Sequence, residues 1–225
     1  MRFLSLRCKA VIFDLDGTLI DTEKLYRKYW PEALRHFGYE LSDERALMLR
    51  SLGRPFAPEQ FRRWFGDDFD YPAVRAYRGK LIEAHIAREG VAAKPHAKEA
   101  LCKLREKGYI VAIATATDPE RTERYLRLAG LEGLVPTVIS ATMVSQGKPA
   151  PDIYLYACRE LGLAPGECIA VEDAPNGVKS AYEAGLKVVM IPDQTEPDEE
   201  LQRMLYACAD SLAEIADLAD GMREA

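Results

Sequence analysis

Short apolar runs alternate with amphipathic segments along most of this chain. The first run, residues 9–14, is rich in β-branched residues and predicts a buried strand. Four similar runs follow after residue 94, and a segment with helical spacing precedes each of them. These further predicted strands are residues 109–114, 137–140, 168–171 and 187–191. The corresponding predicted helices are residues 97–107, 119–129, 151–161 and 175–184, with a last helix at residues 211–219.

Strands that alternate with helices in this way predict right-handed crossovers. The resulting fold class is α/β, with a doubly wound, Rossmann-like and mostly parallel sheet that helices cover on both faces.

The segment from residue 22 to residue 92 has a different, wholly helical pattern. Leu25, Tyr29 and Leu34 fall near helical spacing, and we expect Gly38 to end that first helix. Proline and glycine divide the remainder into short helices. The predicted domains are therefore an α/β core of residues 1–21 and 93–225 and an inserted all-helical cap of residues 22–92.

Composition narrows the functional classes. The chain has 225 residues, 48% of them hydrophobic, and a net charge of −6. An acidic chain argues against nucleic acid as a partner, and no run reaches the roughly 18 apolar residues of a membrane span. Charged residues interrupt the first twelve positions, which argues against a secretory signal. Five widely spaced cysteines predict reduced thiols and a cytoplasmic location.

The charge is unevenly distributed between the two predicted domains. Residues 22–92 carry 13 Lys and Arg against 11 Asp and Glu, whereas the remainder carries 17 against 25. A mildly basic insert over an acidic core is suited to an anionic ligand held between them. Chance surface composition accounts for the same counts, so charge alone leaves both interpretations open.

Carboxylates follow two of the predicted strands. Asp14 and Asp16 come after the first strand, and Glu172 and Asp173 come after the fourth. Ligands of doubly wound sheets bind beyond the carboxyl ends of the strands, so we expect these four side chains to converge there. Carboxylates this close repel one another unless a cation lies between them. Mg²⁺ is favoured because it binds through a few carboxylates and keeps sites for water and phosphate oxygens.

The same sheet edge offers groups that suit a phosphate. A carboxylate nucleophile that forms an aspartyl-phosphate needs donors for the transferring oxygens. Thr115 follows the second strand, and the backbone N–H groups of Ala116 and Thr117 come next. Lys148 lies in the loop after the third strand and would supply a point charge. Each of these residues taken alone is more typical of an ordinary strand end or surface position.

Four motifs, in this order along the chain, resemble the haloacid dehalogenase-like (HAD) superfamily. They are FDLDGTL at residues 13–19, IAT at 113–115, GKP at 147–149 and VED at 171–173. The longer segments GKPAPDIY and EDAPNG resemble the β-phosphoglucomutase-like branch. The helical insert resembles the cap domain of that branch, so the resemblance spans the whole chain.

The resemblance implies a role for each motif residue. Asp14 would be the nucleophile and a Mg²⁺ ligand, and Asp16 would be the general acid and base, with its backbone carbonyl on the metal. Glu172 and Asp173 would complete the metal site. Thr115, the Ala116 amide and Lys148 would bind phosphate. Dehalogenase-type and phosphonatase-type relatives lack an acid at the position of Asp16, so its presence implies phosphate-ester chemistry.

The expected activity is therefore that of a Mg²⁺-dependent phosphatase for a small phosphorylated metabolite. A β-phosphoglucomutase-type mutase shares every core motif and stays open as an alternative. An alternative of another class is a catalytically silent HAD-fold module that binds or regulates. The sequence leaves open whether the chain is a monomer or a dimer.

Cap residues that face the core would recognise the substrate in this branch. The candidates here are Arg50, Arg54, Arg75 and Arg78, although each alone is more typical of a solvated helix. His96 stands where the family usually has glycine, after Pro95, and we expect a structural role for it.

Overall fold

A computed structural model describes residues 8–224 of the chain. Residues 1–7, which form part of the segment that argues against a secretory signal, lie outside the described residues. A six-stranded parallel sheet, in the order β3-β2-β1-β4-β5-β6, forms the centre of the described part. Its strands are β1 (Ala10–Phe13), β2 (Ile110–Thr115), β3 (Thr137–Ser140), β4 (Cys168–Glu172), β5 (Lys187–Met190) and β6 (Ala207–Cys208).

The α/β, Rossmann-like fold class and the first five predicted strands are confirmed, each strand to within one residue at either end. The sixth strand was not predicted. It is two residues long, and no apolar run in the sequence indicates it. Hydrogen bonds to β5 hold it in place, such as the one from the Ala209 N–H to the Met190 carbonyl at 2.9 Å.

Ten helices accompany these strands within the described residues. Those of the insert are α1 (Glu23–His36), α2 (Asp43–Met48), α3 (Phe56–Phe65) and α4 (Tyr71–Glu89). Those beside the sheet are α5 (Ala97–Glu106), α6 (Pro119–Leu128), α7 (Asp152–Leu161), α8 (Pro175–Glu183), α9 (Glu199–Gln202) and α10 (Ile215–Glu224). None of the described helices is both long and apolar enough to span a membrane.

The last helix begins later than the sequence predicts. Ser211 caps a 3-10 turn at Leu212–Glu214, and its hydroxyl accepts the Ala213 N–H at 3.2 Å. The Glu214 carboxylate accepts the Ser211 N–H at 2.9 Å in return. Ser211 and Glu214 thus form a capping box, which is the sequence signal of a helix start. This signal explains why the sequence predicts a helix from residue 211 although α10 begins at Ile215.

The two faces of the sheet are buried under different helices, as the alternation of β1 shows. Val11 and Phe13 belong to an apolar cluster that includes residues of α5 and α10. Ala10 and Ile12 belong to a second cluster that includes residues of α7 and α8. Because side chains alternate along a strand, one short apolar run serves both layers.

The insert has an apolar cluster of its own, centred on Phe61 and formed by α1, α3, α4 and the segments between the helices. The Phe61 ring is fully buried and lies 4.7 Å from Trp30 and 5.2 Å from Phe69, centre to centre. The chain enters and leaves these helices through two adjacent segments, in which Ile20 pairs with Ala93 as an antiparallel bridge. The insert is thus packed internally and joined to the sheet by a paired connection.

His96 occupies the position before α5 with a left-handed backbone, at a φ of 63°. Glycine adopts this conformation without a steric penalty. The left-handed conformation at residue 96 therefore explains why related proteins usually have glycine at this position. It is also consistent with a structural role for His96.

Substitution of Phe61 tests the packing of the insert. We expect Phe61→Ala to lower the free energy of unfolding by about 3–5 kcal/mol, because it leaves a cavity among aromatic rings. The matched control is Phe37→Ala, whose ring is 38% exposed, with an expected change under about 1 kcal/mol. Urea denaturation measures both, and equal effects of the two substitutions would contradict this packing.

Candidate active site

The carboxyl ends of three neighbouring strands bring the motif residues together. Phe13 of β1 is level with Ile113 of β2 and Val171 of β4 in the parallel register. Asp14 therefore follows β1 beside the ends of both neighbours, where Thr115 ends β2 and Glu172 ends β4. The predicted convergence at this sheet edge follows from strand order and register alone.

Three buried carboxylates form a cluster at this edge. Asp14, Glu172 and Asp173 each place one oxygen within 4.8 Å of the others. Asp14 Oδ2 and Glu172 Oε2 are buried and have no hydrogen-bond partner among residues 8–224. Unpaired buried oxygens are costly, and a set of carboxylate oxygens matches the preference of a hard divalent cation. The donor set therefore fits Mg²⁺ at the predicted place.

Two glycines leave space for these carboxylates. A Cβ built on Gly17 would overlap the Asp173 carboxylate, and Gly17 also has a φ of 94°. A Cβ built on Gly177, in the first turn of α8, would overlap the Glu172 carboxylate. Both positions therefore require glycine because a carboxylate occupies the space of a side chain.

Lys148 lies between two of the carboxylates. Its ammonium donates to Asp14 Oδ1 at 2.5 Å, to Glu172 Oε1 at 2.6 Å and to the Ala114 carbonyl at 3.0 Å. Burial disfavours the charged form, but the carboxylates of Asp14 and Glu172 outweigh that penalty and raise the pKa of Lys148. All three ammonium protons are engaged in these contacts, so Lys148 balances the charge of the acidic cluster. Its contact with phosphate stays a prediction.

Glu172 has a second donor that the sequence did not single out for this role. The Tyr154 hydroxyl, on α7, donates to Glu172 Oε1 at 2.5 Å. Burial raises the pKa of Glu172, and Lys148 opposes that rise. The two donors fix one carboxylate oxygen and leave Oε2 for another partner.

Arg50 reaches the cluster from the insert. Its guanidinium, 2% exposed, pairs with Asp173 Oδ2 and donates to the Asp173 carbonyl at 3.2 Å. It also donates to Thr195 at 2.9 Å and lies 3.5 Å from the Glu23 carboxylate. The Thr18 hydroxyl holds the other oxygen of Asp173 at 3.1 Å. Arg50 thus links the insert to the acidic cluster.

Arg50 is one of the predicted substrate-binding arginines of the insert, and that role stays a prediction. The residue lines the cavity described below, but Asp173 and Thr195 engage its guanidinium. The physical reason is the excess of buried negative charge at the strand ends, which attracts the nearest cation of the insert.

Asp16 is held by two hydroxyls beside Asp14. Thr22 Oγ1 donates to Asp16 Oδ1 at 2.5 Å, and Thr117 Oγ1 donates to Oδ2 at 2.7 Å. Burial and the nearby charge of Asp14 raise the pKa of Asp16, while the two hydroxyls lower it. A carboxyl group with a raised pKa and a fixed orientation is suited to proton transfer. The sequence predicts a role for the Thr117 amide alone, and the contact of its hydroxyl with Asp16 has no signal in the local sequence.

Thr115 ends β2 and Ala116 follows it at the carboxyl edge of the sheet. Their contact with phosphate stays a prediction. Thr115 is fully buried, and its Oγ1 accepts the Thr117 N–H at 3.0 Å. Ala116 is exposed at the surface of the cavity. The Ser140 hydroxyl donates to the Thr117 carbonyl at 2.8 Å and fixes this loop from β3.

A cavity of about 480 Å³ lies between the sheet edge and the insert. Asp14, Asp16 and Ala116 line its floor, and the predicted arginines Arg50, Arg54, Arg75 and Arg78 line the insert side. A space of this size accommodates a small metabolite. The structure therefore brings all four cap candidates to the same cavity as the two motif aspartates.

A family model described as haloacid dehalogenase-like hydrolase matches residues 8–185. The chain belongs to this family of hydrolases. Among similar proteins, Protein CbbY of Cereibacter sphaeroides is 30% identical over 94% of this chain and 95% of its own. Hexitol phosphatase A of Escherichia coli is 32% identical over 90% of this chain and 92% of its own.

Solved structures agree with the fold. CbbY from Rhodobacter sphaeroides in complex with phosphate superimposes with a TM-score of 0.76 at 27% identity, covering 92% of this chain and 96% of that one. A putative β-phosphoglucomutase from Bacteroides vulgatus has a TM-score of 0.82 at 24% identity, covering 99% and 93%. The second likeness supports the fold alone.

The space left by Gly177 provides a test of the cluster. We expect Gly177→Ala to displace the Glu172 carboxylate and to weaken Mg²⁺ binding by about tenfold or more, as loss of a ligand contact does. Isothermal titration calorimetry measures the affinity. The matched control is Gly79→Ala in α4, where a Cβ meets nothing within 4 Å, and it should leave the affinity unchanged. Unchanged affinity in a folded Gly177→Ala protein would contradict this geometry.

Proposed function

We propose that this hydrolase is a Mg²⁺-dependent phosphatase that acts on a small phosphorylated metabolite through an aspartyl-phosphate on Asp14. The observation that carries the proposal is the pairing of two buried aspartates with different surroundings. Asp14 belongs to an acidic cluster with unpaired oxygens, whereas Asp16 is held by two hydroxyls. The surroundings of Asp14 suit a nucleophile that lies beside a cation, and the surroundings of Asp16 suit a general acid and base.

Mg²⁺ would be held by the carboxylates of Asp14, Glu172 and Asp173 and by the backbone carbonyl of Asp16. When bound, it supplies positive charge that offsets the repulsion between a carboxylate and an incoming phosphate. Lys148 keeps Glu172 and one oxygen of Asp14 in place through its 2.6 Å and 2.5 Å contacts.

In the first step, an oxygen of the Asp14 carboxylate attacks phosphorus and the ester P–O bond breaks. The leaving alkoxide needs a proton, and the Asp16 carboxyl donates it. Thr22 and Thr117 orient Asp16 for this transfer. The products of the step are the free alcohol, phosphorylated Asp14 and ionised Asp16.

In the second step, ionised Asp16 takes a proton from water as that water attacks the same phosphorus. The bond between Asp14 and phosphorus breaks, which restores both carboxyl groups and releases phosphate. The Thr115 hydroxyl and the Ala116 amide would hold phosphate oxygens through both steps.

The insert would act as a cap over this chemistry. Its arginines line the cavity opposite Asp14, and its closure would exclude bulk water while Asp16 transfers its proton. Relatives named for such activities include the hexitol phosphatase and a fructose-1-phosphate phosphatase of Escherichia coli, 27% identical to this chain. These names support a phosphorylated sugar or polyol as the substrate. A catalytically silent binding module does not require a carboxyl group that is held in a fixed orientation beside Asp14, so the arrangement of Asp16 favours an enzyme.

Removal of the nucleophile or of the metal tests the proposal. We expect Asp14→Asn to reduce release of phosphate from p-nitrophenyl phosphate by about 10³-fold or more. Treatment with EDTA should abolish release and added Mg²⁺ should restore it. Phosphate should be released without a bisphosphate primer, which a mutase would require. Activity that survives chelation or Asp14→Asn would overturn the mechanism.

The role of Asp16 is tested by Asp16→Asn. Since the substitution removes the proton donor and keeps the shape, kcat for an alkyl phosphate should fall by about 10²–10⁴-fold. Mg²⁺ affinity, measured by calorimetry, should change little because the side chain lies outside the carboxylate cluster. The matched control is Asp67→Asn, at an exposed position of the insert, which should keep full activity. Loss of Mg²⁺ binding in Asp16→Asn would show that this side chain is a ligand.

A further inference from the structure

Both carboxylate oxygens of Asp173 have a hydrogen-bond donor from the protein itself. The Thr18 hydroxyl donates to Oδ1 at 3.1 Å, and the guanidinium of Arg50 donates to Oδ2. Asp14 and Glu172 differ, because each has one buried oxygen with no hydrogen-bond partner within the described part of the chain. Two of the three clustered carboxylates therefore offer a free oxygen to a cation, whereas the third already holds a cation of the insert.

Arg50 is held in place by negative charge that is buried with it. Its side chain is 2% exposed, and its guanidinium lies 3.5 Å from the Glu23 carboxylate and 3.8 Å from that of Asp193. A divalent cation bound to Asp173 would share this carboxylate with the guanidinium. Positive charges a few ångströms apart repel one another strongly where water is excluded. The charge of Arg50 and the charge of a metal ion at Asp173 therefore oppose each other.

Hydrogen bonds fasten the loop around Arg50 to the sheet domain. We call this segment, residues 49–55 between α2 and α3, the Arg50 loop. The Gly53 N–H donates to the Lys148 carbonyl at 2.8 Å, and the side-chain amide of Asn176 donates to the Arg50 carbonyl at 2.7 Å. The contact of the guanidinium with Asp173 is thus part of the docking of the whole loop.

Two glycines bring the loop and the sheet domain into close backbone contact. A Cβ built on Gly53 would lie 2.7 Å from Gly147 Cα, and one built on Gly147 would lie 2.9 Å from Gly53 Cα. The Gly147 N–H also donates to the Arg54 carbonyl at 2.7 Å. A side chain at either position would have to push the loop away, so the two glycines permit it to dock.

We propose that Arg50 competes with the metal ion for Asp173, so that metal binding and docking of the Arg50 loop oppose each other. The inference rests on the metal site of the proposed function and adds a regulatory contact to it. Coupling between two binding events is reciprocal. Because the docked arginine weakens Mg²⁺ binding, bound Mg²⁺ weakens the docking of the loop to the same extent. Loading with metal therefore loosens the insert and opens the sheet edge to a substrate.

Mg²⁺ affinity tests this competition. We expect Arg50→Gln to tighten Mg²⁺ binding by about tenfold or more, because it removes the positive charge beside Asp173. Isothermal titration calorimetry of the full chain, without substrate, measures the dissociation constant. The matched control is Arg63→Gln, at an exposed position of α3, which should leave the dissociation constant unchanged. An unchanged or weaker affinity in Arg50→Gln would overturn the proposal, since an arginine that only supports the structure would not tighten metal binding when it is lost.

Two further variants separate the effect of charge from an effect on folding. Arg50→Lys keeps the positive charge, so its Mg²⁺ affinity should stay closer to that of the wild type than to that of Arg50→Gln. Gly53→Ala keeps Arg50 but adds a Cβ against Gly147, so it should also tighten Mg²⁺ binding because it undocks the loop. If Arg50→Gln does not fold, a folded Gly53→Ala protein whose Mg²⁺ affinity does not rise overturns the proposal.

Hydrogen exchange of the wild-type protein tests the reciprocal effect without any substitution. Peptides that cover the Arg50 loop should exchange faster at saturating Mg²⁺, because undocking separates the Gly53 N–H from the Lys148 carbonyl. In Arg50→Gln the effect of Mg²⁺ on the same peptides should be smaller. Slower or unchanged exchange of the loop in the wild type would contradict the proposal.

These measurements distinguish the proposal from the proposed function, because neither of them depends on turnover. A protein that hydrolyses phosphate esters and binds Mg²⁺ equally with and without the Arg50 charge would contradict the competition alone. A protein whose Mg²⁺ affinity depends on Arg50 but which releases no phosphate would contradict the phosphatase alone. If neither the wild type nor Arg50→Gln binds Mg²⁺, both proposals are wrong.

Discussion

The balance of buried charge at the carboxyl edge of the sheet is the constraint on which the site depends. Parallel register brings Asp14, Glu172 and Asp173 within 4.8 Å of one another, at positions where they are almost fully buried. Lys148 compensates two of them from the core, and Arg50 compensates the third from the insert. Two of their oxygens still lack a hydrogen-bond partner within the described part of the chain, and a divalent cation is the group that would complete the charge balance.

The surrounding sequence follows from this charge balance. Gly17 and Gly177 are small because carboxylates occupy the adjacent space. Thr22 and Thr117 hold Asp16 apart from the cluster and so give it a different environment from Asp14. Two aspartates only two positions apart are thereby suited to different tasks, one as a nucleophile and the other as an acid and base.

The sequence predicts the parts of this arrangement that depend on local pattern. Apolar runs identify five of the six strands, and the common direction of those strands places Asp14 beside Glu172. Other parts depend on distant packing and have no local signal. Arg50 and Asp173 are 123 positions apart. Arg50 lies in a loop after α2, and no strand pairing predicts that this loop contacts the end of β4. The strand β6 is two residues long, too short for any periodicity.

The same limit applies to the arginines of the insert. Composition shows that the insert is mildly basic, but four arginines at irregular spacing are equivalent in the sequence. Only packing distinguishes Arg50, which is paired with Asp173, from Arg78, which is stacked on Trp30 and forms no salt bridge with another described residue. The sequence could therefore predict a group of candidates and could not assign their separate roles.

The central claim is that the three carboxylates form a site for one divalent cation. Crystals of the wild-type protein soaked in Mn²⁺, an anomalous scatterer that takes the same oxygen ligands, test it directly. The account predicts a single strong anomalous peak within coordination distance of both Asp14 and Asp173. An anomalous map with no peak there at saturating Mn²⁺ would contradict it.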